Sequence, residues 1–96
     1  MSYNEDFIEY IVEQIEGAGE VTYQGQHVST VKYSVRAKPI EGQIEIEKGE
    51  KYLSARDRFT LHLQGGLALD FRTAQVSDQV EGKYYVKGIS GFRKSS

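Results

Sequence analysis

The hydrophobic positions of the chain follow a helical period at first and a strand period after about residue 20. In the first sixteen residues the apolar side chains recur at a spacing that places them on one side of a helix: Phe7, Ile8, Ile11, Val12 and Ile15. Ser2 and Glu5 have the spacing of a capping box, and Gly17-Ala18-Gly19 favours a helix end. This pattern predicts a helix from about Tyr3 to Glu16.

A hairpin is predicted where two alternating segments flank a glycine pair. A three-residue loop, Gln64-Gly65-Gly66, matches apolar to apolar residues across the strands. The matched pairs are Leu63 with Leu67, Leu61 with Leu69, and Phe59 with Phe71. A two-residue loop would instead place polar Gln64 opposite Leu67, so we favour the three-residue loop.

The segments before and after this hairpin also alternate. We expect a turn at Gly25-Gln26, and a bulge near Thr30 or Val31 where the inward-facing set changes parity. Acidic Glu45 and Glu47 should lie beside the bases of the preceding strand on the outer face. A final strand is expected from Lys83 to Ile89, in which Tyr84 and Tyr85 point to opposite faces.

These elements predict an α+β fold. One N-terminal helix packs on a curved antiparallel sheet of about five or six strands, most of them joined by hairpins. Residues 1–90 form this single domain, and residues 91–96 form a flexible basic tail.

The charges of the chain are separated into two poles. The formal net charge is −2 over 96 residues, yet the first twenty residues contain acids and no base: Glu5, Asp6, Glu9, Glu13, Glu16 and Glu20. The last fourteen contain bases and no acid: Lys83, Lys87, Arg93 and Lys94. The poles point to a macromolecular partner, or to a symmetric homodimer in which the acidic end of one subunit meets the basic end of the other.

Composition narrows the classes of function. A sequence pI near 5.7 makes broad binding to nucleic acid unfavourable. The absence of cysteine excludes disulfides and sulfur-ligated metal sites. The longest apolar runs are far shorter than the roughly 20 residues of a membrane span, and the acidic N-terminus is unlike a secretory signal, so a cytoplasmic location is expected.

The outer face of the glycine-loop hairpin contains a candidate anion site. Its register places Arg58 opposite Arg72, and two opposed arginines are unfavourable unless an acid or a bound anion lies between them. Arg58 and Arg72 would hold the anion, with Thr60 and His62 as hydrogen-bond donors. In the alternative interpretation, Asp57 and Asp70 neutralise the two arginines on a solvated sheet.

Two further sets of residues are candidates for partner binding. Glu9 and Glu13 lie at the middle of the predicted helix, on a face without lysine. Tyr85 and Arg93 belong to a basic and aromatic C-terminal segment, and tyrosine and arginine are common anchors of protein interfaces. The alternatives are a solvated helix face and an edge strand protected by lysines.

The sequence contains no set of residues that is typical of an enzyme active site. His62 and Asp70 could form a base with its orienting acid, but no nucleophile or oxyanion hole accompanies them. We expect no cofactor and no metal. The hypothesis is a small non-enzymatic interaction module that binds another macromolecule, most simply a protein, through the acidic helix face or a charged sheet face. The alternative is a small-ligand or anion-binding protein that uses a helix–sheet pocket or the Arg58/Arg72 face.

Two short stretches resemble known families. An acidic segment leading into Gly19-Glu20-Val21-Thr22 resembles the start of TfoX-type N-terminal domains, which continue with Met-Phe-Gly-Gly where this chain has Tyr23-Gln24-Gly25-Gln26-His27. Residues 80–87 resemble the inhibitory hairpin stretch of cystatins, but Asp78 stands where their Gln-x-Val-x-Gly motif has its glutamine. Because both distinctive motifs are incomplete, we transfer no functional residue from either family.

Overall fold

The computed structural model describes residues 14–37, 39–74 and 82–94, and every regular element in these three ranges is a β-strand. The strands are β1 (Gln14–Tyr23), β2 (Gln26–Ala37), β3 (Ile40–Gly49), β4 (Phe59–His62), β5 (Leu67–Ala74), β6 (Lys83–Gly88) and β7 (Arg93–Lys94).

Six of these strands close into an antiparallel barrel. Around the barrel the order is β1-β2-β3-β6-β5-β4, and β4 pairs with β1 to complete the ring. The strand β7 continues along β5 beyond the end of β6, where Leu67 pairs with Lys94 and Ala68 with Arg93. Arg93–Lys94, which the sequence assigns to a flexible tail, is therefore paired with the barrel.

The predicted α+β class is wrong, because the described part of the chain contains strands and no helix. Residues 14–16, expected at the end of the helix, belong to β1 and pair with residues 34–36 of β2. Residues 3–13 of the predicted helix lie outside the described residues. Gly17-Ala18-Gly19 does not end a helix but continues the strand.

The alternation along β1 explains this correction. Ile15, Gly17, Gly19 and Val21 share the inner side, whereas Glu16 and Glu20 are exposed. A Cβ added at Gly19 would lie 2.1 Å from the backbone carbonyl oxygen of His62, so glycine lets β4 approach β1 closely. The glycines that resemble a helix end thus provide the space in which the barrel closes.

The glycine-loop hairpin has the predicted register. Phe59 lies opposite Phe71 and Leu61 opposite Leu69, and the Leu63 amide donates to the Leu67 carbonyl at 2.8 Å. The expected alternation of Tyr84 and Tyr85 is also confirmed: Tyr84 is buried and Tyr85 is exposed.

The first hairpin differs from its prediction by one residue. Its turn is Gln24-Gly25 rather than Gly25-Gln26, and both residues have positive φ, at 51° and 83°. Two positive φ angles match the right-handed twist of the flanking strands. The extra residue of β2 is Val28, because Val21 pairs with Ser29 and Thr22 with His27. A second register shift, between β2 and β3, has its extra residue on β3 at Glu47, because Thr30 pairs with Lys48 and Val31 with Ile46. The bulge of β2 itself is therefore at Val28, two or three residues before the expected position.

The interior of the barrel is filled by side chains. Its buried apolar residues are Val21, Val31, Tyr33, Val35, Ile44, Ile46, Leu53, Phe59, Leu61, Leu63, Leu69, Phe71, Tyr84 and Val86. Leu53 comes from the connection between β3 and β4. The Tyr84 hydroxyl accepts from the Leu53 amide at 3.1 Å and donates to the Lys51 carbonyl at 2.7 Å. These two hydrogen bonds hold the connection against the core.

Candidate binding face

A row of charged residues crosses the outer face of four neighbouring strands. Arg36 of β2 lies opposite Glu41 of β3, Glu41 lies opposite Lys87 of β6, and Lys87 lies opposite Arg72 of β5. Arg58 directly precedes β4. Because Phe59 is opposite Phe71, extending this register by one residue places Arg58 beside Arg72. We call Lys87, Arg72 and Arg58 the basic row.

The basic row brings three like charges next to one another. Directly opposed side chains in an antiparallel pair have Cβ atoms about 4.5–5.5 Å apart, and like charges at this distance are destabilising. Arg58 forms an ion pair with Asp70, with Nη2 and Oδ2 3.4 Å apart. Among the described residues, no ion pair includes Arg72 or Lys87. The centre of the row is therefore the least neutralised part of this face.

A groove of about 560 Å³ adjoins the basic row. Its lining includes Arg36 and Lys87 at the row, together with Gln43, Tyr85 and Val86. Tyr85 is 46% exposed and lies on the same face as Lys87, two residues away on β6. Val86 is buried in the core, and only its backbone side faces the groove. The groove thus combines bases with an accessible aromatic ring.

At the Arg58 end of the row, three polar side chains contact the carboxylate of Asp70. This carboxylate accepts hydrogen bonds from the Thr60 hydroxyl at 2.7 Å and from Arg93 at 2.9 Å, and more weakly from Arg58. The Thr60 hydrogen bond lowers the pKa of Asp70 below its ordinary 3.8, and the hydrogen bond and charge of Arg93 and the charge of Arg58 add to this, although burial opposes it. Asp70 thus remains ionised and ties β7 to the barrel.

The predicted anion residues are only partly brought together. Arg58, Thr60 and Arg72 line one depression of about 370 Å³. Its lining also includes Arg56, Tyr23 and the two carboxylates of the alternative interpretation, Asp57 and Asp70. Thr60 donates its hydroxyl proton to Asp70, so that proton is already engaged. His62 is not in the lining of this depression. Its Nε2 is 3.0 Å from the Thr22 hydroxyl, and it lies opposite Glu20 of β1.

The predicted partner-binding residues have different positions. Tyr85 is exposed at the groove, whereas Arg93 is engaged with Asp70. Glu9 and Glu13 lie outside the described residues. The expected pairing of outer charges between β2 and β3 is confirmed, since Lys32 lies opposite Glu45 and its Nζ is 3.5 Å from a carboxylate oxygen of Glu47.

Sequence reasoning missed the alignment of Glu41 and Lys87 with Arg72. This alignment depends on β3 and β6 being neighbours, although more than thirty residues separate them along the chain. The available signal was that all these charges occupy outward positions of alternating strands. The signal shows a charged outer face but does not say which charges are adjacent.

Comparisons with known proteins give no relative from which function could be transferred: no family model, no curated protein and no solved structure matches the chain. In the described ranges, no group of three or more histidine or carboxylate side chains is arranged to hold a metal ion. No helix in the same ranges is long and apolar enough to cross a membrane.

Proposed function

We propose that the protein is a non-enzymatic interaction module that binds an acidic segment of another protein along the basic row. The observation that carries this proposal is that Lys87 and Arg72 lie opposite each other on β6 and β5, with Arg58, just before β4, next along the row. Such a row costs stability unless something anionic lies over it. Departures from local rules of this kind concentrate at functional sites.

The groove beside the row favours a protein over nucleic acid as the partner. Tyr85 and Ala74, which lie opposite each other on β6 and β5, offer an aromatic and a small apolar contact next to Arg36 and Lys87, a mixture typical of protein interfaces. A cytoplasmic location remains part of the proposal, and the lack of cysteine is consistent with a reducing compartment.

The test uses a fluorescein-labelled oligo-glutamate peptide and measures its anisotropy as the protein is added. Replacing Arg72 and Lys87 together by glutamine should weaken binding. Exposed ion pairs contribute about 0.2–1 kcal/mol each, so we expect a loss of roughly twofold to thirtyfold for the pair. Binding by the wild type should also decrease as salt rises, because exposed charges are screened.

A matched control removes two bases outside the row. Lys48 and Lys51 are both exposed, near the end of β3 and in the connection that follows. Replacing both by glutamine changes the net charge equally but should leave peptide affinity close to that of the wild type. Equal losses in the two double variants would show that binding follows net charge rather than the row, and the proposal would be wrong.

A second candidate function is the binding of a small anion in the depression lined by Arg56, Arg58 and Arg72. The specific observation is that three arginines and only two carboxylates, Asp57 and Asp70, line this depression. Arginine is well suited to bind phosphate and carboxylate. Inorganic phosphate should then raise the melting temperature of the wild type more than that of Arg58→Gln. An equal shift in both proteins would contradict this candidate.

A further inference from the structure

The acidic and basic residues of the chain are divided between two regions. All but one of the twelve lysines and arginines belong to the described residues, and the exception is Lys38. Residues 1–13 contain Glu5, Asp6, Glu9 and Glu13 and no lysine or arginine. The segment that precedes the barrel, residues 1–13, is therefore negatively charged, which is opposite in sign to the basic row.

The described chain begins next to the basic row. Gln14, the first residue of β1, pairs with Arg36 of β2, and from Arg36 the row continues through Glu41 to Lys87. Neighbouring strands are about 4.8 Å apart, which places Gln14 about 14 Å from Lys87 and about 19 Å from Arg72 along the sheet. Residues 1–13 thus join the barrel three strands from Lys87 and four strands from Arg72, the two bases that form no ion pair with a described residue.

This distance is short compared with the length of the segment. Thirteen residues span about 43 Å when extended and about 20 Å as a helix. In an extended segment, positions 5, 6 and 9 lie far enough from Gln14, up to about 16 Å or more, to reach Lys87. Glu13 is adjacent to Gln14 and stays near the start of β1 in either conformation. Because the segment is tethered at Gln14, its local concentration at the row is high without any second molecule.

We propose that residues 1–13 dock on the basic row of their own chain and compete there with an acidic partner. The docking follows from charge complementarity and from the position of Gln14. The competition rests in addition on the proposed function, because it requires that a partner use the same row. The segment would then act as an internal inhibitor that an acidic partner must displace.

Docking is tested with a carbodiimide, which joins a carboxylate to a lysine amine that touches it. We expect cross-links from Lys87 to carboxylates of residues 1–13, mapped by mass spectrometry on the full chain. The ion pair of Lys32 with Glu47, whose Nζ and carboxylate oxygen are 3.5 Å apart, is the positive control for the reaction. Lys87→Arg keeps the charge but removes the amine, so these cross-links should disappear in that variant.

Lys48 provides the spatial control, because it pairs with Thr30 at the opposite end of the β2–β3 hairpin. Cross-links from residues 1–13 to Lys48 as frequent as those to Lys87 would overturn specific docking. Their absence at Lys87, while Lys32 and Glu47 react, would overturn it too. A mixture of ¹⁴N- and ¹⁵N-labelled protein identifies the chain that supplies the segment. Cross-links of mixed isotope would overturn docking within one chain and assign the segment to a second copy.

Competition is tested with the oligo-glutamate peptide and a variant carrying Glu5→Gln, Asp6→Asn, Glu9→Gln and Glu13→Gln. We expect this variant to bind the peptide about fivefold or more tightly at low salt, the lower end of usual coupling between sites. The charge-matched control replaces four acids elsewhere by glutamine: Glu20, Glu45, Glu47 and Glu50. A similar gain in both variants would overturn competition at the row.

The two experiments separate the two proposals. Cross-links to Lys87 without tighter peptide binding would support docking and overturn competition. Peptide binding that depends on Arg72, together with no cross-links at Lys87, would support the proposed function and overturn docking.

Discussion

At the scale of single residues, the neighbours across the sheet decide what an outward side chain does. Asp70 shows this directly: sequence reasoning considered it as a partner for His62 or as a counter-charge for Arg58, and the structure surrounds it with Thr60, Arg93 and Arg58. Arg93 reaches Asp70 because β7 pairs with β5. One carboxylate therefore joins β4, β5 and β7.

Asp70→Asn should destabilise the protein. Hydrogen bonds to charged groups contribute about 1.5–3 kcal/mol, and asparagine keeps only a neutral acceptor for Thr60 and Arg93. We expect the free energy of unfolding to decrease by about 1–2 kcal/mol in urea denaturation. A decrease below the error of the measurement would show that solvent screens these contacts at Asp70.

The same residue predicts a dependence of stability on pH. The pKa of Asp70 is lower in the folded protein than its ordinary 3.8, so the folded state favours the ionised form. This contribution to stability is complete above the unfolded pKa and is lost as pH falls through the folded pKa. Between neutral pH and about pH 2, Asp70→Asn should lose less stability than the wild type. Parallel pH profiles in urea denaturation would contradict the lowered pKa.

Gly19→Ala should weaken barrel closure, because the new Cβ would lie 2.1 Å from the backbone oxygen of His62. Such overpacking costs about 1–3 kcal/mol. The matched control is Gly91→Ala, because a Cβ there meets nothing within 4 Å. We expect the urea midpoint to fall for Gly19→Ala and to stay the same or rise slightly for Gly91→Ala. Equal midpoints would contradict the close approach of β1 and β4.

At the scale of elements, the connection between β3 and β4 depends on one tyrosine. Leu53 is buried and Tyr52 is 72% exposed, so only part of this connection packs on the core. The Tyr84 hydroxyl bonds both the Leu53 amide and the Lys51 carbonyl. An element without regular structure is therefore held in place by a side chain of β6.

Tyr84→Phe should loosen this connection without unfolding the barrel. Leaving a buried backbone group unsatisfied costs about 1–3 kcal/mol. We expect a loss of stability in this range, together with faster amide hydrogen exchange at Leu53. The control is Tyr85→Phe, because Tyr85 is exposed and should change stability by less than about 0.5 kcal/mol. Similar exchange rates at Leu53 in both variants would contradict the role of the Tyr84 hydroxyl.

At the scale of the whole molecule, the barrel is closed by strands that are distant in the chain. Val21 of β1 pairs with Leu61 of β4, and Ile44 of β3 pairs with Tyr84 of β6. Because each of the six strands has two neighbours, removal of one strand would open the ring. We therefore expect the barrel to unfold as one cooperative unit.

This topology predicts slow and cooperative folding. Barrels dominated by non-local pairing fold in roughly milliseconds to seconds. Stopped-flow tyrosine fluorescence should show refolding in this range, with equilibrium transitions that coincide when followed by fluorescence and by circular dichroism. Transitions with different midpoints would show that part of the sheet unfolds separately.

The sequence predictions were more accurate for residues that are close together along the chain than for residues that are far apart along it. The pairs Leu61/Leu69 and Phe59/Phe71 were predictable because a short loop permits few registers and only one matched apolar residues. The start of β1 was not predictable as a strand. Ile15 fits the apolar stripe of a helix, and Gly17 and Gly19 favour a helix end when only the local sequence is considered. Only the approach of His62 and β4 shows why glycine stands at position 19.

The basic row illustrates the same limit for function. The outward position of Arg58 opposite Arg72 was predictable within one hairpin, whereas the adjacency of Lys87 and Arg72 required the pairing of β5 with β6. His62 was grouped with the anion site because it lies on the same hairpin face. The pairing of β4 with β1 instead places it beside Thr22 and Glu20.

The sequence by itself determined the alternation of the strands after residue 20, the register of the glycine-loop hairpin and the separation of charge along the chain. Only the tertiary structure decided that β1 is a strand from Gln14, that the sheet closes, and that three bases from different strands form one row. The physical reason is that a tight turn restricts pairing to a few registers. The entropy cost of closing a longer loop changes only slowly with its length, so the choice among distant partners falls to the packing of the whole core.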